Sequence, residues 1–182
     1  TRIVCGEQGL LEVVEHVGVE VVLNGLVGSV GLVPTLRALR AGRTVATANK
    51  EPLVMAGGLV LEAAAAGNAR LLPLDSEPNA IWQCLQGEER QGIGRLILTA
   101  SGGPFFGRAP QELVGVRPEE ALAHPTWRMG AKITVDSATL MNKGFEVIEA
   151  SWLFGVPTDR IEVVVHRESV VHSLVEFRDG SI

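Results

Sequence analysis

Short apolar, β-branched runs alternate with helical segments along the first 75 residues, and this alternation constrains the fold more than any other feature. Strands are predicted over 19–23, 44–48 and 70–74, with helices over 34–40 and 51–66 between them, after a weaker helix over 10–17. Buried strands separated by single helices form βαβ units with parallel strands. The sequence therefore predicts an α/β fold that begins with a parallel sheet.

The pattern changes after Pro73, where we place a boundary between domains spanning 1–74 and 75–182. In the second domain, helices are predicted over 76–85 and 139–154 and strands over 96–99, 161–165 and 173–177. The Gly- and Pro-rich stretch 101–124 is predicted to be a long loop with at most one short helix, near 118–122. Loops of this length in compact domains usually serve as lids or binding loops.

Composition excludes several classes of protein. Lys and Arg number 16 against 21 Asp and Glu, a net charge of −5, which argues against general nucleic-acid binding. The apolar runs are shorter than the ~20 residues of a membrane-spanning helix. Cys5 and Cys84 are distant and unpatterned, so neither a disulfide framework nor a thiolate metal site is indicated. We expect a protein of a reducing, cytoplasmic compartment.

Three glycines, Gly25, Gly28 and Gly31, lie between a predicted strand and a helix, where the pyrophosphate of a dinucleotide can bind. Their spacing differs from the G-x-G-x-x-G fingerprint, and the next strand does not end in an acidic residue. A tight crossover is therefore the favoured interpretation, with phosphate binding as the alternative.

Polar residues follow the predicted strands, at the sheet edge where parallel sheets bind ligands. Lys50 follows the second strand, and Asp75 and Glu77 follow the third. Two such carboxylates either hold a hard divalent cation or cap the next helix. A third carboxylate would favour the cation; Glu146 is the candidate, and Glu149, one turn later, is the alternative.

Further polar residues are suited to an anion. Ser101 and the two glycines after it offer a hydroxyl and backbone N–H groups, although the same sequence also fits a turn. Ser137, Asn142 and Lys143 cluster at a predicted helix start, where they could hold a phosphate or a sugar, although Ser137 could also cap the helix. Trp127, in the Gly- and Pro-rich region, is suited to close over a substrate.

The order of these motifs resembles the 1-deoxy-D-xylulose 5-phosphate reductoisomerase family over essentially the whole chain. The motifs are Ala48-Asn49-Lys50-Glu51, Leu74-Asp75-Ser76-Glu77-x-Asn79-Ala80-Ile81, Ser101-Gly102-Gly103-Pro104, His124-Pro125-x-Trp127-x-Met129-Gly130, the run from Val135 to Gly144, and His166-x-x-Ser169-x-x-His172-Ser173. A homoserine dehydrogenase shares only the Ala-Asn-Lys strand end.

The resemblance implies the C-terminal part of a Rossmann-like NADPH-binding sheet, followed by an α/β catalytic domain with a lid loop. It implies rearrangement of 1-deoxy-D-xylulose 5-phosphate with Mg²⁺, Mn²⁺ or Co²⁺, then reduction by NADPH to 2-C-methyl-D-erythritol 4-phosphate, in isoprenoid biosynthesis. It also implies a homodimer joined through the catalytic domain.

The resemblance also implies roles for individual residues. The metal ligands are expected to be Asp75, Glu77 and Glu146, and the catalytic residues Lys50, Glu77, His124 and Trp127. Substrate contacts are expected from Lys50, Ser76, Glu77, Ser101, His124, Ser137, Asn142, Lys143 and Glu146. Cofactor contacts, at the nicotinamide half, are expected from Asn49, Glu51 and Gly130. His172 is expected to support the site.

The sequence departs from the family pattern in three respects. Pro52 stands where many members have Ser, and a proline is tolerated in the first helical turn. The family's phosphate-binding glycine loop and its C-terminal helical domain are absent from these 182 residues. We therefore expect a central piece of a longer enzyme that alone binds NADPH poorly and is inactive. The alternatives are a homoserine-type dehydrogenase, a metal-dependent phosphosugar lyase without nicotinamide, and a non-catalytic fragment.

Overall fold

The first part of the chain is a parallel sheet with helices. The computed structural model describes residues 2–182; Thr1, the first residue of the predicted first domain, lies outside them. The elements are α1 (Gly6–Glu15), β1 (Val21–Asn24), α2 (Leu32–Arg40), β2 (Thr44–Thr47), α3 (Glu51–Ala66) and β3 (Leu71–Pro73), with a 3-10 turn at Gly28–Gly31. The strand order is β1-β2-β3, and both pairs are parallel. The predicted βαβ pattern is confirmed.

The second part forms another sheet, ordered β5-β4-β6. Its elements are α4 (Ser76–Cys84), β4 (Ile93–Ala100), α5 (Pro118–Ala121), α6 (Ala131–Ala138), α7 (Met141–Phe154), β5 (Ile161–Val165) and β6 (Ser173–Phe177), with 3-10 turns at Arg90–Gly92, Pro110–Leu113 and Thr158–Arg160. The central strand β4 is parallel to β5 and antiparallel to β6. The predicted α/β class is confirmed in both parts of the chain.

The stretch before α7 differs from the prediction. An additional helix, α6, occupies residues in which β-branched side chains obscured the helical pattern. Leu140 then adopts a left-handed conformation with φ of 60°, which separates α6 from α7. Ser137 consequently lies in the last turn of α6 and donates a hydrogen bond to the Ile133 carbonyl at 2.8 Å. The interpretation of Ser137 as a cap of the following helix is wrong.

The first strand is less buried than its sequence suggested. Val21 is 58% exposed and Leu23 is 72% exposed, whereas Asn24 is buried. The side chains on one face of β1 are covered by no element within residues 2–182. The expectation of a strand buried on both faces is therefore wrong for β1 within this part of the chain.

Helix α3 packs against helix α7 and thereby joins the two parts of the molecule. A Cβ atom on Gly57 of α3 would lie 2.3 Å from the indole nitrogen of Trp152 in α7, so only glycine allows this approach. The adjoining core includes Leu53, Val60, Ile81, Leu96, Leu98, Ala150 and Phe154. The packing of α3 against α7 fixes the start of α3 relative to the polar face of α7.

No helix in residues 2–182 is both long and apolar enough to span a membrane.

Candidate metal and substrate site

The site lies where strands of both sheets end. Thr47 at the end of β2 pairs with Pro73 at the end of β3, so the segments that follow these strands are neighbours. Lys50 follows β2 and directly precedes α3, while Asp75 and Glu77 follow β3. This is the edge at which open parallel sheets bind ligands. The predicted position of the polar residues is confirmed.

Three carboxylates converge at this edge. One carboxylate oxygen from each of Asp75, Glu77 and Glu146 lies within 4.8 Å of the other two. The Glu146 side chain is 1% exposed, and those of Asp75 and Glu77 are 16% and 17% exposed. A set of carboxylate oxygens is the donor type preferred by Mg²⁺ and Mn²⁺. The residues present therefore fit a hard divalent cation.

Two buried lysines contact the same carboxylates. The Lys50 ammonium lies 2.5 Å from Asp75 Oδ2, a close ion pair, and 3.1 Å from Glu146 Oε1. The Lys143 ammonium lies 3.0 Å from Glu77 Oε1 and also contacts Glu146 Oε2. Lys50 additionally donates to Asn142 Oδ1 at 2.9 Å. Five charged groups thus form one buried network.

Burial and charge act in opposite directions on this network. Burial raises the pKa of Glu146 to about 6, against the attraction of Lys50 and Lys143. Burial alone would lower the pKa of Lys50, but Glu146 and Asp75 raise it above its ordinary value. Burial also raises the pKa of Glu77, yet Lys143 and Ser76 outweigh it and hold that pKa below its ordinary value. The neighbouring carboxylates therefore keep Lys50 charged in spite of its burial.

Glu149, the alternative third carboxylate, has a different environment. It is fully buried, and neither carboxylate oxygen has a hydrogen-bond partner within residues 2–182. Burial, together with the negative charge of Asp75, raises the pKa of Glu149 well above its ordinary value. The cluster of converging oxygens contains Glu146 and not Glu149. The geometry favours Glu146 as the third ligand.

A cavity of about 400 Å³ opens beside the carboxylates. Its lining includes the predicted residues Asp75, Ser76, Glu77, Ser101, His124, Trp127, Ser137, Asn142, Lys143, Glu146 and His172. A Cβ atom on Gly103 would lie 2.5 Å from the Ser137 carbonyl oxygen, so the glycine turn packs closely on α6. This packing brings the hydroxyls of Ser101 and Ser137 to the same cavity.

His124 connects the long loop to the end of β4. Its Nδ1 accepts backbone N–H groups from Thr126 at 3.2 Å and Trp127 at 2.9 Å. The ring proton is therefore on Nε2, which lies 2.9 Å from Ser101 Oγ and donates to it. Burial lowers the pKa of His124, which favours this neutral ring. Since Ser101 Oγ accepts that bond, its own hydrogen is available to an anion in the cavity.

A second cavity, of about 210 Å³, adjoins the first on the side of α3. Lys50, Glu51 and Gly130 line it, and Asn142 lines both cavities. Asn49 is buried behind it and donates through Nδ2 to Glu51 Oε2 at 2.6 Å. The site therefore has two compartments that share Asn142, to which Lys50 donates at 2.9 Å.

The glycine-rich turn, Gly25 to Gly31, holds the Asn49 side chain in place. Asn49 Nδ2 donates to the Gly28 carbonyl at 3.1 Å. A Cβ atom on Gly31 would lie 1.8 Å from Asn49 Oδ1, so glycine is required there. These contacts support the favoured interpretation of Gly25 to Gly31 as a tight crossover.

Ser169 and Lys132 are among the lining residues that sequence reasoning did not assign to the site. Ser169 lines the larger cavity and has a φ of 50°, which is uncommon for a residue other than glycine. Lys132 lines the smaller cavity and forms an ion pair with Glu51 at 2.9 Å. Ser169 stands in the His166-x-x-Ser169 motif, so a signal was present; Lys132 carries no motif of its own.

Two family models match the chain. The model of the 1-deoxy-D-xylulose 5-phosphate reductoisomerase C-terminal domain matches residues 71–154, and the 1-deoxy-D-xylulose 5-phosphate reductoisomerase model matches residues 1–57. The chain belongs to the 1-deoxy-D-xylulose 5-phosphate reductoisomerase family. The resemblance inferred from the motifs is confirmed.

Curated members of the reductoisomerase family align along the whole chain. The 1-deoxy-D-xylulose 5-phosphate reductoisomerase of Geobacillus kaustophilus is 61% identical over 182 residues, which are 100% of this chain and 48% of that protein. The Bacillus cereus enzyme is 59% identical over 182 residues, which are again 100% of this chain and 48% of that protein. The chain therefore spans about half the length of the curated relatives it matches.

Solved structures of the reductoisomerase family share the fold. A complex of DOX-P reductoisomerase with NADPH, fosmidomycin and magnesium is 46% identical with a TM-score of 0.94, covering 100% of this chain and 47% of that one. The Zymomonas mobilis enzyme in complex with NADPH is 47% identical with a TM-score of 0.87. The match covers 97% of this chain and 45% of that one.

Proposed function

We propose that this chain supplies the metal- and substrate-binding region of an NADPH-dependent reductoisomerase. The reaction is conversion of 1-deoxy-D-xylulose 5-phosphate to 2-C-methyl-D-erythritol 4-phosphate in isoprenoid biosynthesis. One observation carries the proposal: three converging carboxylates border a cavity with two serine hydroxyls and a lysine, beside a second cavity. Family membership supports the same reaction.

We propose Asp75, Glu77 and Glu146 as ligands of Mg²⁺, Mn²⁺ or Co²⁺. Their oxygens converge within 4.8 Å, which supports a single ion. When bound, such an ion supplies Lewis acidity to the ketone and hydroxyl oxygens of the substrate. A related DOX-P reductoisomerase has been solved in complex with magnesium, which agrees with a divalent cation in this family.

The larger cavity supports phosphate binding on the side of Ser101, whose hydroxyl hydrogen faces it. The Ser137 hydroxyl, which donates to the Ile133 carbonyl, would have to turn to the phosphate, as would the Asn142 amide and the Lys143 ammonium, which contact Glu146. His124 orients Ser101 through the hydrogen bond at 2.9 Å. A dianionic phosphate would satisfy these donors together.

The remaining residues of the cavity bind and enclose the sugar backbone. Ser76 at the cavity wall, and Lys50 beside Asn142, would contact its polar groups, and Glu77 and Glu146 border it through the carboxylate cluster. Trp127 is 47% exposed at the cavity wall, where loop closure would place its ring over the substrate and exclude water. His172 lines the same wall as a supporting residue.

The smaller cavity supports the nicotinamide of NADPH. Glu51 and Gly130 line it, and Asn49 fixes Glu51 from behind. Lys50 and Asn142 lie between the compartments, so a hydride donor in one would face the carbon skeleton held in the other. This adjacency favours a reductase over a phosphosugar lyase without nicotinamide, and the carboxylate cluster favours it over a homoserine-type dehydrogenase or a non-catalytic fragment.

Four further features belong to this proposal. We place the domain boundary between residues 74 and 75, where β3 of the first sheet gives way to the second part of the chain. The family resemblance supports a homodimer joined through the catalytic domain and a cytoplasmic location. The net charge of −5 argues against a nucleic-acid partner.

The test is conversion of the substrate by the full-length enzyme. We expect NADPH oxidation on addition of 1-deoxy-D-xylulose 5-phosphate, loss of activity with a chelator, and recovery with Mn²⁺. Turnover that persists in chelator would contradict the metal centre and indicate a dehydrogenase without a metal requirement. Cleavage of the sugar phosphate without NADPH would indicate a lyase.

A further inference from the structure

Two ammonium groups contact the oxygens to which we assign the divalent cation. Glu146 is contacted on both oxygens, by Lys50 on Oε1 and by Lys143 on Oε2. Lys50 also pairs with Asp75, and Lys143 also pairs with Glu77. Each proposed metal ligand therefore has a lysine partner.

These lysines are poorly placed to bind an anion as they stand. The side chains of both Lys50 and Lys143 are only 6% exposed, and their charges are directed at carboxylates. Ion pairs in a buried setting are strong because little solvent screens them. A phosphate in the cavity must therefore compete with Glu77 and Glu146 for the Lys143 ammonium.

The charges suggest how this competition is resolved. Three carboxylates and two ammonium groups leave the cluster close to neutral, but a divalent cation at the same oxygens would repel both ammonium groups. Lys143 lines the larger cavity, and Lys50 lines the smaller one while donating to Asn142, which borders both cavities. Each lysine thus has an adjoining space into which its charge can turn.

We propose that Lys50 and Lys143 are exchangeable counter-ions of the carboxylate cluster, so that binding of a divalent cation releases both ammonium groups for the substrate. Lys143 turns from Glu77 and Glu146 to the phosphate, and Lys50 turns from Asp75 and Glu146 to the polar groups of the sugar. This inference rests on the proposed metal and phosphate sites. It adds that a cation bound at the metal site frees the lysine that the phosphate site needs.

The exchange makes cation and anion binding reciprocal. Because the cation frees Lys143, it raises the affinity for phosphate, and phosphate must raise the affinity for the cation by the same factor. Phosphate accomplishes this by holding Lys143 away from the carboxylates, without itself touching the ion. The coupling therefore depends on Lys143 rather than on direct contact between the two ligands.

Lysine labelling of the full-length enzyme tests the release directly. This chain has three lysines, and Lys132, 40% exposed and outside the cluster, is an internal reference. The protein is pulsed with acetic anhydride with and without saturating Mg²⁺, and each site is quantified by mass spectrometry. We expect Mg²⁺ to raise acetylation of Lys50 and Lys143 relative to Lys132 by about tenfold, within the usual range of coupling. Inorganic phosphate added after Mg²⁺ should then protect Lys143 again.

Unchanged or reduced acetylation of both lysines on addition of Mg²⁺ would overturn the exchange. Calorimetric Mg²⁺ titration and turnover in the same samples separate this failure from failure of the proposed function. If Mg²⁺ binds and the enzyme turns over while the lysines stay protected, only the exchange is wrong. If Mg²⁺ does not bind, the metal site itself is wrong.

A charge-removal variant tests the coupling through a rise in Mg²⁺ affinity, which misfolding would not produce. In Lys143→Met, we expect higher Mg²⁺ affinity than in the wild type, because a competing cation is gone, and no further gain from inorganic phosphate. Arg108→Met is the matched control, since it removes one positive charge from an exposed pair with Glu120. Arg108→Met should leave unchanged both the Mg²⁺ affinity and its gain on addition of inorganic phosphate. Lower Mg²⁺ affinity in a folded Lys143→Met, or undiminished coupling, would contradict the proposal.

Discussion

The two ends of the larger cavity are built in different ways. The carboxylate end is carried by the start of α4 and the polar face of α7, and its charged groups are paired and largely buried. The anion end depends on the long loop, which His124 ties to Ser101 by one side-chain hydrogen bond. Sites built on helices and strands are positioned more precisely than sites on loops. The metal end is therefore preorganised, and we expect the phosphate end to be the adaptable one.

The largest effect is expected at the preorganised end. Glu146→Gln keeps the side-chain volume but removes one ligand charge, and Lewis acidity contributes several kcal/mol, so kcat/KM should fall by about three orders of magnitude. Steady-state kinetics and Mn²⁺ titration check this, while NADPH affinity should hardly change. Near-normal activity and Mn²⁺ affinity would exclude Glu146 as a ligand.

A smaller effect is expected at the loop end. His124→Phe keeps a ring but removes the acceptor of two backbone N–H groups and the donor to Ser101. Loss of such bonds costs about 1–3 kcal/mol, so the KM for substrate should rise about 10- to 100-fold. Mn²⁺ affinity should be unchanged. An equal loss of Mn²⁺ affinity, measured without substrate or phosphate, would contradict a role of His124 confined to the loop end.

The helix contact behind the preorganised end can be tested with adjacent glycines. Gly57→Ala places a Cβ atom 2.3 Å from the Trp152 indole, whereas at Gly58 the nearest atom lies at 3.8 Å. Overpacking should lower the free energy of unfolding of Gly57→Ala by about 1–3 kcal/mol. Gly58→Ala should be neutral or stabilising by about 0.5–1 kcal/mol, because alanine favours helices. Equal urea midpoints for the two variants would contradict the assigned contact.

The smallest effect concerns the unpartnered carboxyl beneath the cluster. Because burial raises the pKa of Glu149, the folded protein retains a proton that the unfolded chain releases above about pH 4.5. The contribution of this group to stability is thus full below that pH and falls as the pH rises toward the folded pKa. Glu149→Gln removes the dependence, so its unfolding free energy relative to wild type should increase by about 1 kcal/mol from pH 5 to pH 8. Urea unfolding at both pH values checks this, and a constant difference would contradict a retained proton.

The sequence predicted the parts of the site that follow from element ends. Asp75 and Glu77 follow a strand, and Glu146 lies four residues after Asn142 on one helical face, so their convergence could be inferred. The position of Ser137 could not, because a left-handed Leu140 divides a stretch that looked like one helix start.

The side-chain ion pairs could not be predicted from the sequence either. The contacts of Lys50 with Asp75 and Glu146 join residues far apart in the chain, and they depend on how α3 packs against α7. The unpartnered state of Glu149 likewise depends on its burial rather than on any local pattern. Motifs identify which groups are available, while tertiary packing decides which of them meet.

The most direct test of the metal centre is the position of Mn²⁺ in crystals of the full-length enzyme, located by anomalous scattering. We predict one Mn²⁺ peak within coordination distance of carboxylate oxygens of Asp75, Glu77 and Glu146. A peak elsewhere, or one coordinated by Glu149 in place of Glu146, would contradict the account.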